Sequence, residues 1–198
     1  MMSVEWARTN CFIAPIGIYH WSRAFEYPWV VQNGKFKAKE WVLDAAGGDS
    51  PLQTIVSDLD CHVVNLDIDT NRFLEKSKAL LLQGDIKKLN FPDNSFHKVM
   101  CISVLEHIED PVSVIPELLR VLVPGGRLLV TMDVASYARW NHTIDLSIAS
   151  NILSTCGLQL PPEPPNILRM SFPEIDQKPG EPEEVHLKVL CFYLDKPE

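Results

Sequence analysis

The chain lacks any run of about 18 apolar residues, so no membrane-spanning helix is expected. The apolar stretch from Cys11 to Tyr19 is broken by Pro15 and preceded only by Arg8, a poor match to a secretion signal, so the expected compartment is the cytoplasm. Basic residues are scarce: 18 Lys and Arg stand against 26 Asp and Glu, for a formal net charge of −8. Affinity for a phosphate backbone is built from Lys and Arg, and here only Lys35, Lys37 and Lys39 cluster, so no nucleic-acid partner is expected. Paired cysteines are missing too. Cys11, Cys61, Cys101, Cys156 and Cys191 lie far apart with no C-x-x-C, which argues against a zinc site or a disulfide framework, and no metal is expected. Three of them fall in apolar runs, where Cys behaves as a small hydrophobe. The chain also has no G-x-G-x-x-G and no internal repeat.

What remains is an ordinary globular composition, 46% hydrophobic and 22% charged, over 198 residues, long enough for one domain with a sizeable core. Three zones divide it. Residues 1–39 form an aromatic-rich N-terminal helical cap containing Trp6, Phe12, Tyr19, Trp21, Phe25, Tyr27 and Trp29, where Ser22 can cap a short helix that Pro28 bends. Residues 40–133 alternate strand-like and helix-like runs, and residues 134–198 hold a proline-dense passage and a last strand. The alternation predicts a doubly wound, mostly parallel sheet.

Strands are expected near residues 40–45, 61–66, 79–83, 97–102 and 126–132. After the first, Ser50 and Pro51 start a helix with Leu52, Ile55, Val56 and Leu59 as its buried stripe. After the fourth, Asp110 and Pro111 start another, with Ile115, Leu118, Leu119 and Leu122 as the stripe and Pro116 kinking it or delaying its start. Pro124, Gly125 and Gly126 form the turn before the fifth strand. A further helix from Thr143 to Cys156 stops at Gly157, a proline-rich surface loop or lid reaches Pro182, and Val185 to Leu194 closes the chain as a strand.

Four segments carry the chemistry: WVLDAAGGDSPL (41–52), HVVNLDID (62–69), LLQGDIKKLNFPDNSFHKVMCISVLEHIEDP (81–111) and RVLVPGGRLLVTMD (120–133). Each ends a strand-like run in a carboxylate or a small-residue turn, at the edge where a parallel sheet binds ligands. Ala45 to Gly48 lets the backbone approach a ligand closely, and Asp44 leaves a negative charge beside it. Asp67 follows Asp44 by 23 residues, a spacing suited to two ribose hydroxyls, with Asp69 as the alternative. Asp85 adds a third acid after the third strand, and either Asp67 or Asp85 can instead cap the next turn.

Together, in this order, the segments resemble the class I S-adenosylmethionine-dependent methyltransferases, in particular the type-11 group, over about Glu40 to Asp133. The resemblance implies a Rossmann-like sheet of seven strands with an antiparallel last strand, and S-adenosylmethionine as cofactor. It implies that the turn Ala46, Gly47 and Gly48 cradles the amino-acid end, with Asp44 on the ammonium group. It also implies Asp67 on the ribose, Asp85 on the adenine amino group, the Ile86 amide against the ring, and Ser103 and Val104 beside the methionine part. The three glycines usual in the turn read here as Ala46, Gly48 and Ser50. The implied reaction is displacement at a sulfonium methyl carbon by an atom of an acceptor, expected to be a small molecule, sugar or lipid, in which the protein chiefly aligns the reactants and excludes water.

The resemblance also implies that Glu106 and His107 begin the loop facing the acceptor; His107, Asp133 and His142 are the candidate bases for an acceptor that must lose a proton, although His107 suits a structural hydrogen bond equally well. Asp133, Tyr137, Arg139, Trp140, Asn141 and His142 are expected on one loop, walling an acceptor pocket with the N-terminal aromatics or packing as core. Two other readings stay open, a non-catalytic module on the same fold and a nicotinamide-dependent oxidoreductase. The sequence leaves the oligomeric state open.

Overall fold

The computed structural model describes residues 23–73, 77–135, 144–159, 170–171 and 186–198. Helix α1 (Arg23–Gly34) precedes β1 (Trp41–Ala45), α2 (Leu52–Asp58), β2 (His62–Asp67), β3 (Leu80–Gln83) and β4 (Phe96–Ile102). Then come α3 (Ile115–Val121), β5 (Leu122–Ala135), β6 (Ile144–Asp145), α4 (Leu146–Thr155), β7 (Met170–Ser171) and β8 (His186–Asp195). The sheet runs β3-β2-β1-β4-β5-β8-β7, with the two-residue β6 paired to β5 as an eighth strand. Strands β1 to β6 pair in parallel, while β8 is antiparallel to both β5 and β7. This is the expected Rossmann-like sheet with an antiparallel last strand.

Strand side chains alternate between faces, so each central strand feeds two cores. Val42, Val63, Met100, Ile102 and Leu129 point to one face, where they meet Val30 of α1 and Leu52 and Val56 of α2. Leu43, Val64, Val99, Cys101, Leu128 and Val130 point to the other, against Ile115 and Leu118 of α3 and Ile152 and Leu153 of α4. Burial of each large apolar side chain contributes about 1.5–3 kcal/mol, which fixes the strand ends relative to one another.

Several expectations change in detail. The fifth strand begins at Leu122, so Pro124, Gly125 and Gly126 lie within β5 as an irregularity and not as a turn before it. The register steps from Phe96 opposite Leu122 to Lys98 opposite Arg127, which leaves extra residues on β5 to bulge out. Along α2 the buried set is Leu52, Gln53 and Val56, whereas Leu59 falls after the helix and is exposed. Pro116 delays its helix: Val112–Val114 is a 3₁₀ turn, and α3 starts at Ile115, leaving Leu122 to β5. Asp145 caps α4 through the Ile148 amide, and Ile144–Asp145 is strand, which shortens the helix expected from Thr143. Within the passage expected as a proline-rich loop, Met170–Ser171 pairs with β8. Ser22, the aromatics from Trp6 to Trp21 and most of that passage lie outside the described residues.

Candidate active site

Strand β1 pairs with β2 on one side and β4 on the other, so the order of the sheet reverses at β1 and a crevice opens past the C-terminal ends of β1 and β4. Among the described residues, Asp44, Asp67 and Ser103 lie at or just past the C-terminal ends of β1, β2 and β4.

Asp44 is the penultimate residue of β1 and is 2% exposed; its Oδ2 is buried with no hydrogen-bond partner among the described residues. Burial pushes its carboxyl up to about 7, countered by the Gln53 amide and the Arg23 charge. A Cβ on Gly47 would stand 2.2 Å from that Oδ2 and 2.7 Å from Asn65 Oδ1, so only glycine leaves this concavity open. Its neighbours Ala46 and Gly48 both adopt left-handed backbone, with φ of 58° and 50°. Gly48 does so without strain; Ala46 holds a conformation that disfavours a side chain. The turn is braced from two elements, by Asn65 Nδ2 donating to the Gly48 carbonyl at 2.8 Å and by Gln53 Nε2 donating to the same carbonyl at 3.1 Å.

Asp67 ends β2, also 2% exposed, with Oδ1 accepting the Asp69 amide at 2.9 Å and Oδ2 buried without a partner among the described residues. Asp69 is instead exposed and occupied as the cap of a 3₁₀ turn, accepting from the Asn71 amide at 3.0 Å. The geometry therefore favours Asp67 over Asp69 as a ligand for vicinal hydroxyls. Asp85 lies just past β3, exposed, where its Oδ1 accepts the Lys87 amide at 2.9 Å. The Ile86 side chain is buried in the core, which anchors the backbone beside Asp85.

Past β4, Ser103 turns the chain with φ of 49°, and Val104 and Glu106 are buried while His107 is exposed. Asp133 lies inside β5 and not on the loop expected for it, 5% exposed, and its amide donates to Glu106 Oε1 at 3.3 Å. Burial raises the Glu106 carboxyl to about 8, helped by Asp133 and Glu26, and raises Asp133 to about 7, helped by Glu26. His142, Tyr137, Arg139, Trp140 and Asn141 lie outside the described residues, as does Trp21. Of the described N-terminal aromatics, Tyr27 and Trp29 pack against the core.

Sequence reasoning did not find Glu26. This α1 carboxylate is fully buried; its Oε2 pairs with Arg23 Nη1 at 2.7 Å, and its Oε1 accepts hydrogen bonds from the Ser103 and Thr131 hydroxyls. Asn65 and Gln53 were also missed. An isolated polar residue in an apolar run was the available signal for Asn65, whereas nothing local marks Glu26.

A mostly parallel sheet whose order reverses at β1, with acids at successive strand ends, is a Rossmann-like fold. Residues 43–130 match the family model described as a methyltransferase domain. The ubiquinone/menaquinone biosynthesis C-methyltransferase of Pseudomonas fluorescens (strain SBW25) is 36% identical over 104 residues, 45% of this chain and 40% of that protein. The sterol 24-C-methyltransferase of Aspergillus fumigatus is 35% identical over 96 residues, 43% of this chain and 26% of that protein. The chain thus spans well under half the length of these curated relatives. A structure from Bacillus subtilis, the YcgJ protein, superposes with a TM-score of 0.62 at 14% identity, covering 87% of this chain and 98% of that one. The [4+2]-cyclase SpnF shares the fold with a TM-score of 0.56 at 19% identity, over 71% of this chain and 59% of that one.

Proposed function

We propose that this chain transfers a methyl group from S-adenosylmethionine to a small acceptor: a small molecule, a sugar or a lipid. The observation that carries the reading is the pair of buried, unpartnered carboxylate oxygens, Asp44 Oδ2 and Asp67 Oδ2, at adjacent strand ends beside a turn where Gly47 has no room for a Cβ. Buried acceptors without donors are costly, and an ammonium group and a ribose diol supply the donors. Asp44 would hold the ammonium and Asp67 the diol. Asp85 would take the adenine amino group with the Ile86 amide beside the ring, Ala46 and Gly48 would present backbone to the amino-acid end, and Ser103 and Val104 would border the methionine part.

When bound, the cofactor supplies an electrophilic methyl carbon. The protein's part is alignment and exclusion of water, for which fixed strand ends suffice. Where the acceptor is a hydroxyl, Glu106 and Asp133, held near neutrality, are suited to take its proton. The exposed His107 is less enclosed for that task, and His142 keeps its place as a candidate on the sequence argument alone.

Two relatives are named as C-methyltransferases, of sterols and of ubiquinone/menaquinone biosynthesis, which supports a small-molecule or lipid acceptor. Among the described residues no helix is long and apolar enough to cross a membrane. A cytoplasmic location is part of the proposal and suits the free thiols of Cys61, Cys101, Cys156 and Cys191.

A second reading, a module that keeps the fold without methyl transfer, is favoured by Ala46 in its left-handed conformation, where glycine is the easier residue. Incubation with methyl-labelled cofactor and pooled metabolites, carbohydrates and lipids decides between them. Label appearing in one pool supports transfer; cofactor binding with no label in any pool supports the module.

A further inference from the structure

We propose that Glu26 is a positioning residue: through its buried carboxylate, the N-terminal helix holds Ser103 in the left-handed conformation that shapes the wall of the cofactor site. The proposal rests on the S-adenosylmethionine reading above, and it concerns a residue outside the segment 43–130 that the family model matches.

Ser103 follows directly on β4 with φ of 49°, a region that L side chains rarely adopt, so the backbone there needs outside support. The support comes from one closed network. The Ser103 amide donates to the Thr131 carbonyl at 3.0 Å and to Thr131 Oγ1 at 3.1 Å. The Thr131 and Ser103 hydroxyls both donate to Glu26 Oε1, and Arg23 Nη1 donates to Oε2 at 2.7 Å. Glu26 therefore fixes Ser103 directly through its hydroxyl and indirectly through the Thr131 side chain that its amide contacts. All three residues are buried, so water is a poor substitute for the carboxylate.

Docking of α1 does not require this group. Val30, with Tyr27, Trp29 and Val31 beside it, already seats the helix on the sheet in the second core cluster. A buried ion pair is a weak contributor to stability, whereas a carboxylate accepting two hydroxyls on one oxygen fixes the geometry of both. The same helix reaches the cofactor turn on its other flank, where Ser50 Oγ donates to Tyr27 Oη at 3.3 Å. Helix α1 thus contacts the turn after β1 and the turn after β4, the two sides of the crevice.

The test is calorimetric titration of the full chain with S-adenosylhomocysteine, alongside melting temperature. Glu26→Gln retains an acceptor oxygen for both hydroxyls and should stay within about threefold of the parent Kd, while Glu26→Ala should weaken binding about tenfold. Ser103→Ala keeps the Cβ strain and loses the clamp, so it should weaken binding to a similar extent. Ser103→Gly adopts the same φ without strain, so it should bind more tightly than Ser103→Ala and, combined with Glu26→Ala, restore most of the affinity lost there. A merely structural Glu26 would lower the melting temperature without this ordering of Kd. The proposal is overturned by Glu26→Ala binding as tightly as the parent, or by Ser103→Gly binding as weakly as Ser103→Ala. Should Glu26→Ala not fold, the two Ser103 variants decide alone. A parent chain that does not bind the ligand overturns the cofactor reading, and this proposal falls with it; a parent that binds, with variants out of order, overturns this proposal only.

Discussion

Asp67 and Asp44 sit at neighbouring strand ends with similar burial, yet they should respond differently to perturbation. Asp67 has one oxygen engaged by the Asp69 amide and one open to a diol, so Asp67→Ala removes charge-assisted bonds and should weaken cofactor binding by about 2–3 kcal/mol while the fold persists. Calorimetry on the folded variant checks this; unchanged affinity would move the ribose contact elsewhere. For Asp44 the readout is a proton. Its carboxyl stands at about 7 in the folded chain, well above the ordinary aspartate value of 3.8, because burial disfavours the charged form. The folded state therefore holds the proton more tightly than the unfolded state, and Asp44 makes the ligand-free chain lose stability as pH rises from about 4 to about 7, with the loss complete above that window. An ammonium placed beside Asp44 favours ionisation and pulls that value back down. Cofactor binding at about pH 6 should then release a proton, affinity should rise towards about pH 7, and the release should vanish by about pH 8. Titrations in buffers of differing ionisation enthalpy measure it, and Asp44→Asn should abolish it.

At the scale of elements, β5 is the strand whose sequence pattern and structure differ most. Pro124, Gly125 and Gly126 read as a turn, but the chain stays in the sheet and bulges there, with the Gly125 amide donating to the Lys196 carbonyl at 2.9 Å. A Cβ on Gly126 would stand 2.8 Å from the Val123 carbonyl oxygen and 2.9 Å from that of His97, both backbone atoms with little freedom to yield. Gly126→Ala should therefore destabilise the fold by about 1–3 kcal/mol, visible as a lower urea midpoint with an unchanged slope. The parallel strands and the helices between them were legible because apolar period and cap residues agree, as at Pro51 and Gly157. The bulge was not, because the same Pro-Gly-Gly serves a turn or a bulge, and the partner Lys196 that settles it is remote in sequence. The candidate site divides in the same way. The places of Asp44 and Asp67 at strand ends were legible in the sequence, whereas the capping bond that occupies Asp69 was not. Glu26 was invisible because its role depends on hydroxyls from β4 and β5 that only the tertiary fold brings to it.

Across the whole molecule, charge separates the cofactor proposed here from the nicotinamide dinucleotides that related sheets bind. The chain carries a formal net charge of −8, and among the acids it counts are the buried Asp44, Asp67, Glu106 and Asp133 at the crevice edge. A dinucleotide would bring a pyrophosphate to the first turn, where such ligands rely on a glycine-rich helix N-terminus. Here that turn has Asp44 Oδ2 aimed at Gly47, and α2 is a seven-residue helix, so a second negative charge meets repulsion in a poorly solvated place. S-adenosylmethionine brings an ammonium and a sulfonium instead, which match these acids in sign. Its addition at a hundredfold excess over Kd should stabilise the fold by about 2.7 kcal/mol, a rise in melting temperature of roughly 5–10 °C for a chain of this size, with one molecule bound per chain. The neutral-sulfur product S-adenosylhomocysteine should do the same through the ammonium and ribose contacts it retains, and oxidised or reduced nicotinamide dinucleotides should leave the melt unchanged. A melt raised by a dinucleotide and by neither adenosyl ligand would return the acids at the strand ends to capping roles and remove the physical basis for methyl transfer at this site.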